Sequence, residues 1–126
     1  MITGLHHVSM KCETREKFQR VEEFYCGILG LNILRRWPDG MLLDTGNGLI
    51  EIFLGHAQHQ QGILRHIALQ TDDVDACVRA VAQAGFEVFL PPQEKSFPSQ
   101  PPYSMRIAFC KGPLGEEIEF FHPYEP

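Results

Sequence analysis

The sequence predicts an α+β fold made of two tandem halves, each a strand, a helix and three further strands. Three observations carry this expectation. The first is an internal repeat. Gly4-Leu5-His6-His7-Val8-Ser9-Met10 resembles Ile63-Leu64-Arg65-His66-Ile67-Ala68-Leu69, and Gly30-Leu31-Asn32-Ile33-Leu34 resembles Gly85-Phe86-Glu87-Val88-Phe89. Gly48-Leu49-Ile50-Glu51-Ile52-Phe53 then resembles Glu116-Glu117-Ile118-Glu119-Phe120-Phe121. The matches fall in one order and align His7 with His66 and Glu51 with Glu119, as a duplicated supersecondary unit requires. The second is that apolar periodicity switches between strand and helix spacing in the same order in both halves. The third is size: 126 residues, 44% of them hydrophobic, can build one core but not two full-sized domains. The chain therefore reads as a single domain, 1–126, with half-repeats 1–55 and 63–126 joined by a polar linker, 56–62.

The elements follow in order. Leu5 to Lys11 alternates like a strand. Phe18, Val21, Tyr25 and Ile28 fall at helical spacing, and Gly30 stands where a helix-terminating glycine belongs. Pro38-Asp39-Gly40 and Gly46-Asn47-Gly48 mark turns between short strands near 31–37, 41–45 and 48–54. In the second half Asp72 or Asp73 can cap a helix whose stripe is Val74, Cys77, Val78 and Val81, closed by Gly85. Strands are expected near 86–90, 105–110 and 116–122. Between them, Pro91 to Tyr103 carries five prolines, too many for a central strand. It reads either as a stiff surface loop or as a lid or wall over a site.

Composition excludes several function classes. The net charge of −5, with no run of lysines or arginines, argues against a nucleic-acid partner. No apolar stretch reaches the roughly 18 residues of a membrane span. Met1 to Lys11 also lacks the basic start and hydrophobic run of an export signal. Cys12, Cys26, Cys77 and Cys110 form no C-x-x-C pair. Reduced thiols and a cytoplasmic location are expected.

Strand alternation sorts the ionisable residues by face. His7 goes with Leu5, Ser9 and Lys11; Glu51 with Leu49 and Phe53; His66 with Leu64, Ala68 and Gln70; Glu119 with Glu117 and Phe121. Each lies opposite an apolar stripe suited to packing under a helix, such as Ile50, Ile52 and Leu54. The second face also carries large apolar groups, so it is expected to line a cavity. A carboxylate there costs several kcal/mol unless compensated. One divalent cation would compensate two, and two imidazoles with two carboxylates suit zinc, nickel, cobalt, iron(II) or manganese. The alternative is a pair of partly exposed glutamates with two hydrogen-bonded core histidines. Two His and two Glu at repeat-equivalent, same-face positions favour the metal. By parity, His6 and His122 read as packing or surface residues, and His56 and His59 as solvated linker residues. Trp37 reads as a hairpin-end aromatic that packs locally, with a pocket wall or a subunit contact as the alternatives.

The marks Leu5-His6-His7-Val8, Glu23-Phe24-Tyr25-Cys26-Gly27-Ile28-Leu29-Gly30-Leu31, Arg65-His66-Ile67-Ala68 and Gly112-Pro113-Leu114-Gly115-Glu116-Glu117-Ile118-Glu119 resemble the vicinal-oxygen-chelate superfamily. This superfamily includes glyoxalase I, methylmalonyl-CoA epimerase, extradiol dioxygenases and bleomycin-binding proteins. The resemblance implies two tandem βαβββ modules forming a curved mixed sheet around a central metal cavity. It also implies His7, Glu51, His66 and Glu119 as ligands of one divalent ion, and a homodimer. The chain departs from the pattern at Gly112-Pro113, where relatives carry aspartate-proline. Gly55 and Lys11 stand where bacterial glyoxalase I enzymes often hold glutathione with asparagine and arginine. Lysine keeps the charge but cannot make arginine's two-pronged contact.

A full His-Glu-His-Glu set resembles glyoxalase I and the epimerases more than the dioxygenases or the metal-free bleomycin binders. It implies a metal-dependent glyoxalase I-like lyase or isomerase acting on a small molecule. Such an enzyme moves a proton alpha to a carbonyl through a metal-stabilised enediolate, with Glu119 or Glu51 as the base. The alternatives are an epimerase of an acyl-CoA or small acid, and a non-catalytic binder of small molecules or drugs. Lys11, about 13 Å along the strand from His7 at roughly 3.3 Å per residue, or Arg106 is expected to meet a substrate carboxylate or phosphate. Phe53 and Phe121, sharing faces with the two glutamates, are expected to line the substrate pocket.

Overall fold

Strand β1 runs from Ile2 to Cys12, and Thr14 then starts helix α1, Arg15–Glu22, by accepting a hydrogen bond from the Lys17 amide at 3.1 Å. The helix continues into a π-helical turn, Glu23–Ile28, and the chain leaves through Gly30 at φ +79°, a conformation glycine adopts cheaply. Strands β2 (Asn32–Trp37), β3 (Gly40–Asp44) and β4 (Leu49–Leu54) complete the first half. The second half repeats the order with β5 (Leu64–Thr71), α2 (Val74–Gln83), β6 (Val88–Phe97), β7 (Tyr103–Lys111) and β8 (Glu117–Pro123). Of the two candidate caps, Asp73 accepts from the Ala76 amide at 3.0 Å, while Asp72 pairs with the N-terminal amine at 2.6 Å. This computed structural model describes residues 1–55, 62–112 and 115–124. His56 and His59, most of the 56–62 linker, and Pro113 and Leu114 lie outside the described residues.

All eight strands form one mixed sheet in the order β2-β3-β4-β1-β5-β8-β7-β6. Each half pairs its first and last strands in parallel, β1 with β4 and β5 with β8, and the halves join where β1 meets β5 antiparallel. Duplication therefore puts the four repeat-equivalent strands side by side at the centre. On the outer face α1 sets Phe18 on Met41, Leu43 and Ile52, with Ile50 and Leu54 beside them. Helix α2 sets Val74 and Cys77 on Ala108, Cys110 and Phe120. Burying each large apolar side chain contributes about 1.5–3 kcal/mol. No helix among the described residues is long and apolar enough to cross a membrane.

Two expectations need correction. Ile28 is 74% exposed, because the wider π turn, closed by Leu29 N–H to Phe24 O at 3.0 Å, rotates it off the apolar stripe. The proline-rich segment is also not wholly a loop. Strand β6 runs through Pro91 and Pro92 to Phe97, with register shifts between Leu90 and Gln93. It is an edge strand, so a missing N–H breaks no second ladder, and bulges are at home there. Beyond it the chain acts as a wall. The Gln100 amide donates to Arg36 O at 2.8 Å, Arg35 Nη1 donates to Pro101 O at 3.2 Å, and Phe97 stacks on Trp37 at 5.4 Å. These contacts tie β2, at one end of the sheet, to the segment beside β6 at the other. The sheet is therefore curled around its inner face. That face is packed with Trp37, Leu42, Ala68, Tyr103, Met105, Ile107 and Phe121.

Candidate functional site

One chain supplies all four candidate ligands: Glu51 from β4, His7 from β1, His66 from β5 and Glu119 from β8. In the ladders Ser9 stands opposite both Glu51 and His66, and Ala68 opposite Glu119. The four inner-facing side chains thus converge, and all are buried. His7 Nε2 lies 3.5 Å from Glu51 Oε1 and 3.3 Å from Glu119 Oε1, and the corresponding distances from His66 Nε2 are 3.8 and 3.0 Å. The two Nε2 atoms are 3.3 Å apart. Donors held about 2.1 Å from one ion are roughly 3.0–3.4 Å apart at octahedral or tetrahedral angles, close to these spacings. The ligand atoms of His7, Glu51 and His66 all lie within 4.8 Å of one another.

The two carboxylates differ. Burial alone would raise the Glu119 carboxyl, but hydrogen bonds from His66 and His7, with their charge, hold it down at about 2. Burial likewise works against protonated His7, yet Glu51 and Glu119 outweigh it and raise its pKa. Glu51 Oε1 is buried and has no hydrogen-bond partner. An unsatisfied buried carboxylate oxygen costs more than about 1–3 kcal/mol. Its place facing two imidazole nitrogens is where a cation would satisfy it. The donor set of two nitrogens and two oxygens fits a divalent metal of the zinc-to-manganese range.

A ring of residues behind the ligands escaped the sequence reading. A register shift between Leu5 and His7 in the β1–β5 pairing marks a bulge at His6, which turns His6 inward beside His7 instead of outward. His6 Nδ1 is 2.7 Å from His7 Nδ1, its Nε2 is 3.0 Å from Tyr103 Oη, and its ring stacks on Phe121 at 4.0 Å. Burial pushes the His6 imidazole down to about 3 and the Tyr103 hydroxyl up to about 12, so both are neutral. Arg65, the repeat counterpart of His6, lies over the Phe53 ring at 4.3 Å, donates to Ser9 Oγ at 3.2 Å and comes within 3.8 Å of Glu51 Oε1. Trp37 packs further inward than a hairpin-end aromatic should. It lines, with His6, His7, Glu51, Tyr103 and Phe121, a cavity of about 10 Å³, roughly room for one water.

The expected substrate-binding residues divide. Phe121 lines the cavity, and Phe53 packs on its wall 5.3 Å from Trp37. Lys11 is buried but lines a different space, a groove of about 770 Å³ between α1 and the sheet that it shares with Lys17, Arg20 and Phe24. Arg106 must be removed from the site. Met105 and Ile107 occupy the inner face, so Arg106 between them points outward. There its Nε and Nη2 donate to Asp75 at 2.8 and 2.9 Å and its Nη1 to Glu94 at 2.8 Å. His122 packs, as expected, with Nδ1 3.1 Å from Thr71 O.

Comparison with known proteins agrees with this fold. The family described as Glyoxalase/Bleomycin resistance protein/Dioxygenase superfamily matches residues 4–120. No curated protein matches the sequence. Among solved structures, methylmalonyl-CoA epimerase from Mycobacterium tuberculosis is 20% identical with a TM-score of 0.73, over 97% of this chain and 89% of that one. A methylmalonyl-CoA epimerase in complex with methylmalonyl-CoA and ammonium is 19% identical with a TM-score of 0.75, over 99% and 97%. The Mn(II)-bound glyoxalase from Novosphingobium aromaticivorans is 18% identical with a TM-score of 0.75, over 96% of this chain and 39% of that one. At such identities these likenesses show the fold.

Proposed function

Because the chain belongs to the glyoxalase/bleomycin resistance protein/dioxygenase superfamily, we propose that it is a metal-dependent lyase or isomerase. It moves a proton alpha to the carbonyl of a small substrate, in the manner of glyoxalase I. His7, His66, Glu119 and Glu51 hold one divalent ion. When bound, the ion supplies positive charge that steadies negative charge developing on substrate oxygen. The observation that carries the reading is the asymmetry of the buried carboxylates. Glu119 is held by both imidazoles, whereas Glu51 Oε1 is hydrogen-bonded by nothing.

Glu51 is therefore the base, the carboxylate that turns to the substrate carbon without breaking a hydrogen bond. It takes the proton alpha to the carbonyl and returns it to the adjacent carbon. Phe53 and Phe121 wall the reacting end and exclude water. Lys11, in the separate α1 groove with Lys17 and Arg20, is given no contact with the reacting end of the substrate. An epimerase of an acyl-CoA or small acid is the second reading, favoured by the likeness in fold to two methylmalonyl-CoA epimerases. There the proton returns to the carbon that lost it.

The test is to load the purified protein with zinc, nickel, cobalt or manganese and assay hemithioacetals and acyl-CoA esters in deuterated water. Deuterium appearing in a rearranged product supports the glyoxalase reading; exchange at an unrearranged alpha carbon supports the epimerase. Glu51→Gln is expected to lower turnover by about 10²–10⁴-fold, the usual contribution of a positioned base. A protein that binds none of these metals, or full turnover in both Glu51→Gln and Glu119→Gln, overturns the proposal.

A further inference from the structure

We propose that His6 and Tyr103 are positioning residues for the metal centre, a buried relay that fixes the tautomer and ring orientation of His7. The inference rests on the metal-centre reading of His7, Glu51, His66 and Glu119, and it concerns groups that are not themselves ligands in that reading.

The geometry leaves little freedom. His6 Nδ1 and His7 Nδ1 are 2.7 Å apart in a buried setting, with the rings nearly perpendicular at 80°. Two ring nitrogens at that distance share one hydrogen: one donates and the other accepts. His7 turns its Nε2 toward Glu51, Glu119 and His66. A ligand nitrogen must offer a lone pair, so the His7 proton belongs on Nδ1 and His6 Nδ1 accepts it. The proton of neutral His6 is then on Nε2, where it donates to Tyr103 Oη at 3.0 Å. Each link forces the next.

The far end is anchored. The Arg35 guanidinium lies 4.1 Å over the Tyr103 ring and donates to Pro101 O at 3.2 Å. Phe121 holds the His6 ring by stacking at 4.0 Å. The bulge that turns His6 inward thus serves a purpose: a regular strand would have pointed it out. The second half has a different neighbour at the matching position. Arg65 precedes His66, and its guanidinium lies over Phe53 and reaches Ser9.

The experiment compares the full-length protein with His6→Leu, His6→Asn and Tyr103→Phe. Zinc affinity is read by chelator competition, and histidine protonation by ¹⁵N–¹H correlation of the imidazoles with and without zinc. His6→Leu is expected to weaken zinc binding about 10–100-fold, as loss of a ligand's supporting hydrogen bond does. His6→Asn keeps a carbonyl that accepts from His7 Nδ1–H and is expected to restore most of that loss. Tyr103→Phe is expected to shift the His6 Nε2–H resonance and weaken binding less. A folded His6→Leu that binds zinc within twofold of wild type overturns the relay. So does a zinc-loaded wild type in which His7 carries no proton on Nδ1. Should His6→Leu fail to fold, Tyr103→Phe and the wild-type spectra decide. A wild type that binds no zinc sinks the metal-centre reading, while its metal-free spectra still show whether His6 accepts from His7.

Discussion

Adding one methyl group at Gly40 tests the packing of the cavity wall. Gly40 begins β3 opposite Trp37 and, on the other side, Phe53. A Cβ built there would lie 2.3 Å from Trp37 Cε2 and 2.4 Å from both Cζ2 and Nε1. Carbon atoms pack best at about 3.5–4.0 Å, so the indole would have to retreat by more than about 1 Å. It has nowhere to go. Phe97 is stacked on it at 5.4 Å with the ring planes 4° apart, and Phe53 meets it edge-on at 5.3 Å. The backbone alone predicts the opposite sign. Gly40 is not in the left-handed region, and a glycine to alanine change at a permissive site stabilises by about 0.4–1 kcal/mol. Overpacking a filled core costs about 1–3 kcal/mol, so Gly40→Ala should be net destabilising. With the middle of each range the net loss is about 1.3 kcal/mol, and at about 3–5 °C per kcal/mol for a chain of this size Tm should fall by roughly 4–7 °C.

The assay is urea and thermal unfolding followed by far-UV circular dichroism, on wild type, Gly40→Ala, Trp37→Leu and the double variant. Trp37 is the only tryptophan, so fluorescence separately reports whether the indole has left its buried seat. With Trp37 shortened, Gly40→Ala should become neutral or stabilising, giving a coupling of about 1–3 kcal/mol between the pair. A Gly40→Ala protein as stable as wild type, or single effects that simply add, would refute the reasoning.

Two further predictions address the outer face. Hydrogen bonds from Arg106 hold Asp75 below the usual carboxylate range, and bonds from Tyr124 and then Arg106 do so for Glu94. Depressed folded-state values mean stabilisation present above the unfolded pKa of about 4 and lost as pH falls through the lower folded values. Arg106→Ala should therefore have a lower Tm at neutral pH, a gap that closes on acidification; parallel Tm curves between pH 2 and 7 would contradict this. Phe18, 3% exposed on the inner side of α1, should cost about 3–5 kcal/mol on replacement by alanine in urea unfolding. The 47% exposed Phe24 should cost about 1 kcal/mol or less, and equal losses at the two sites would mean that α1 does not pack as described.

What could be read from the sequence was what obeys a simple period. Alternation placed His7, Glu51, His66 and Glu119 on one face and Ile50, Ile52 and Leu54 on the other, and the repeat supplied their equivalence. Glycines at helix ends and the aspartate cap were equally local signals. The failures occur where a residue is added or a pairing is non-local. The His6 bulge breaks the alternation within one step, and the doubled histidine was its only trace. Strand β6 accepts prolines only because it lies at an edge, which is a fact about neighbours and not about its own residues. Arg106 belongs to the same class of miss: it pairs with His122, a non-local partner that its own residues do not reveal.

Duplication also explains why the two glutamates are not interchangeable. The repeat copies positions, so Glu51 and Glu119 sit on equivalent strands with the same two histidines between them. It does not copy their surroundings. Glu119 Oε1 lies 3.0 and 3.3 Å from the two imidazole nitrogens, and Glu51 Oε1 lies 3.8 and 3.5 Å from the same two. The residue before each histidine differs as well: His6 holds its neighbour from behind, while Arg65 reaches across Phe53 toward Glu51. Equivalent positions with asymmetric support are what the proposed division of work between the two carboxylates rests on. One is pinned between two imidazole nitrogens, and the other keeps a buried oxygen without a hydrogen-bond partner.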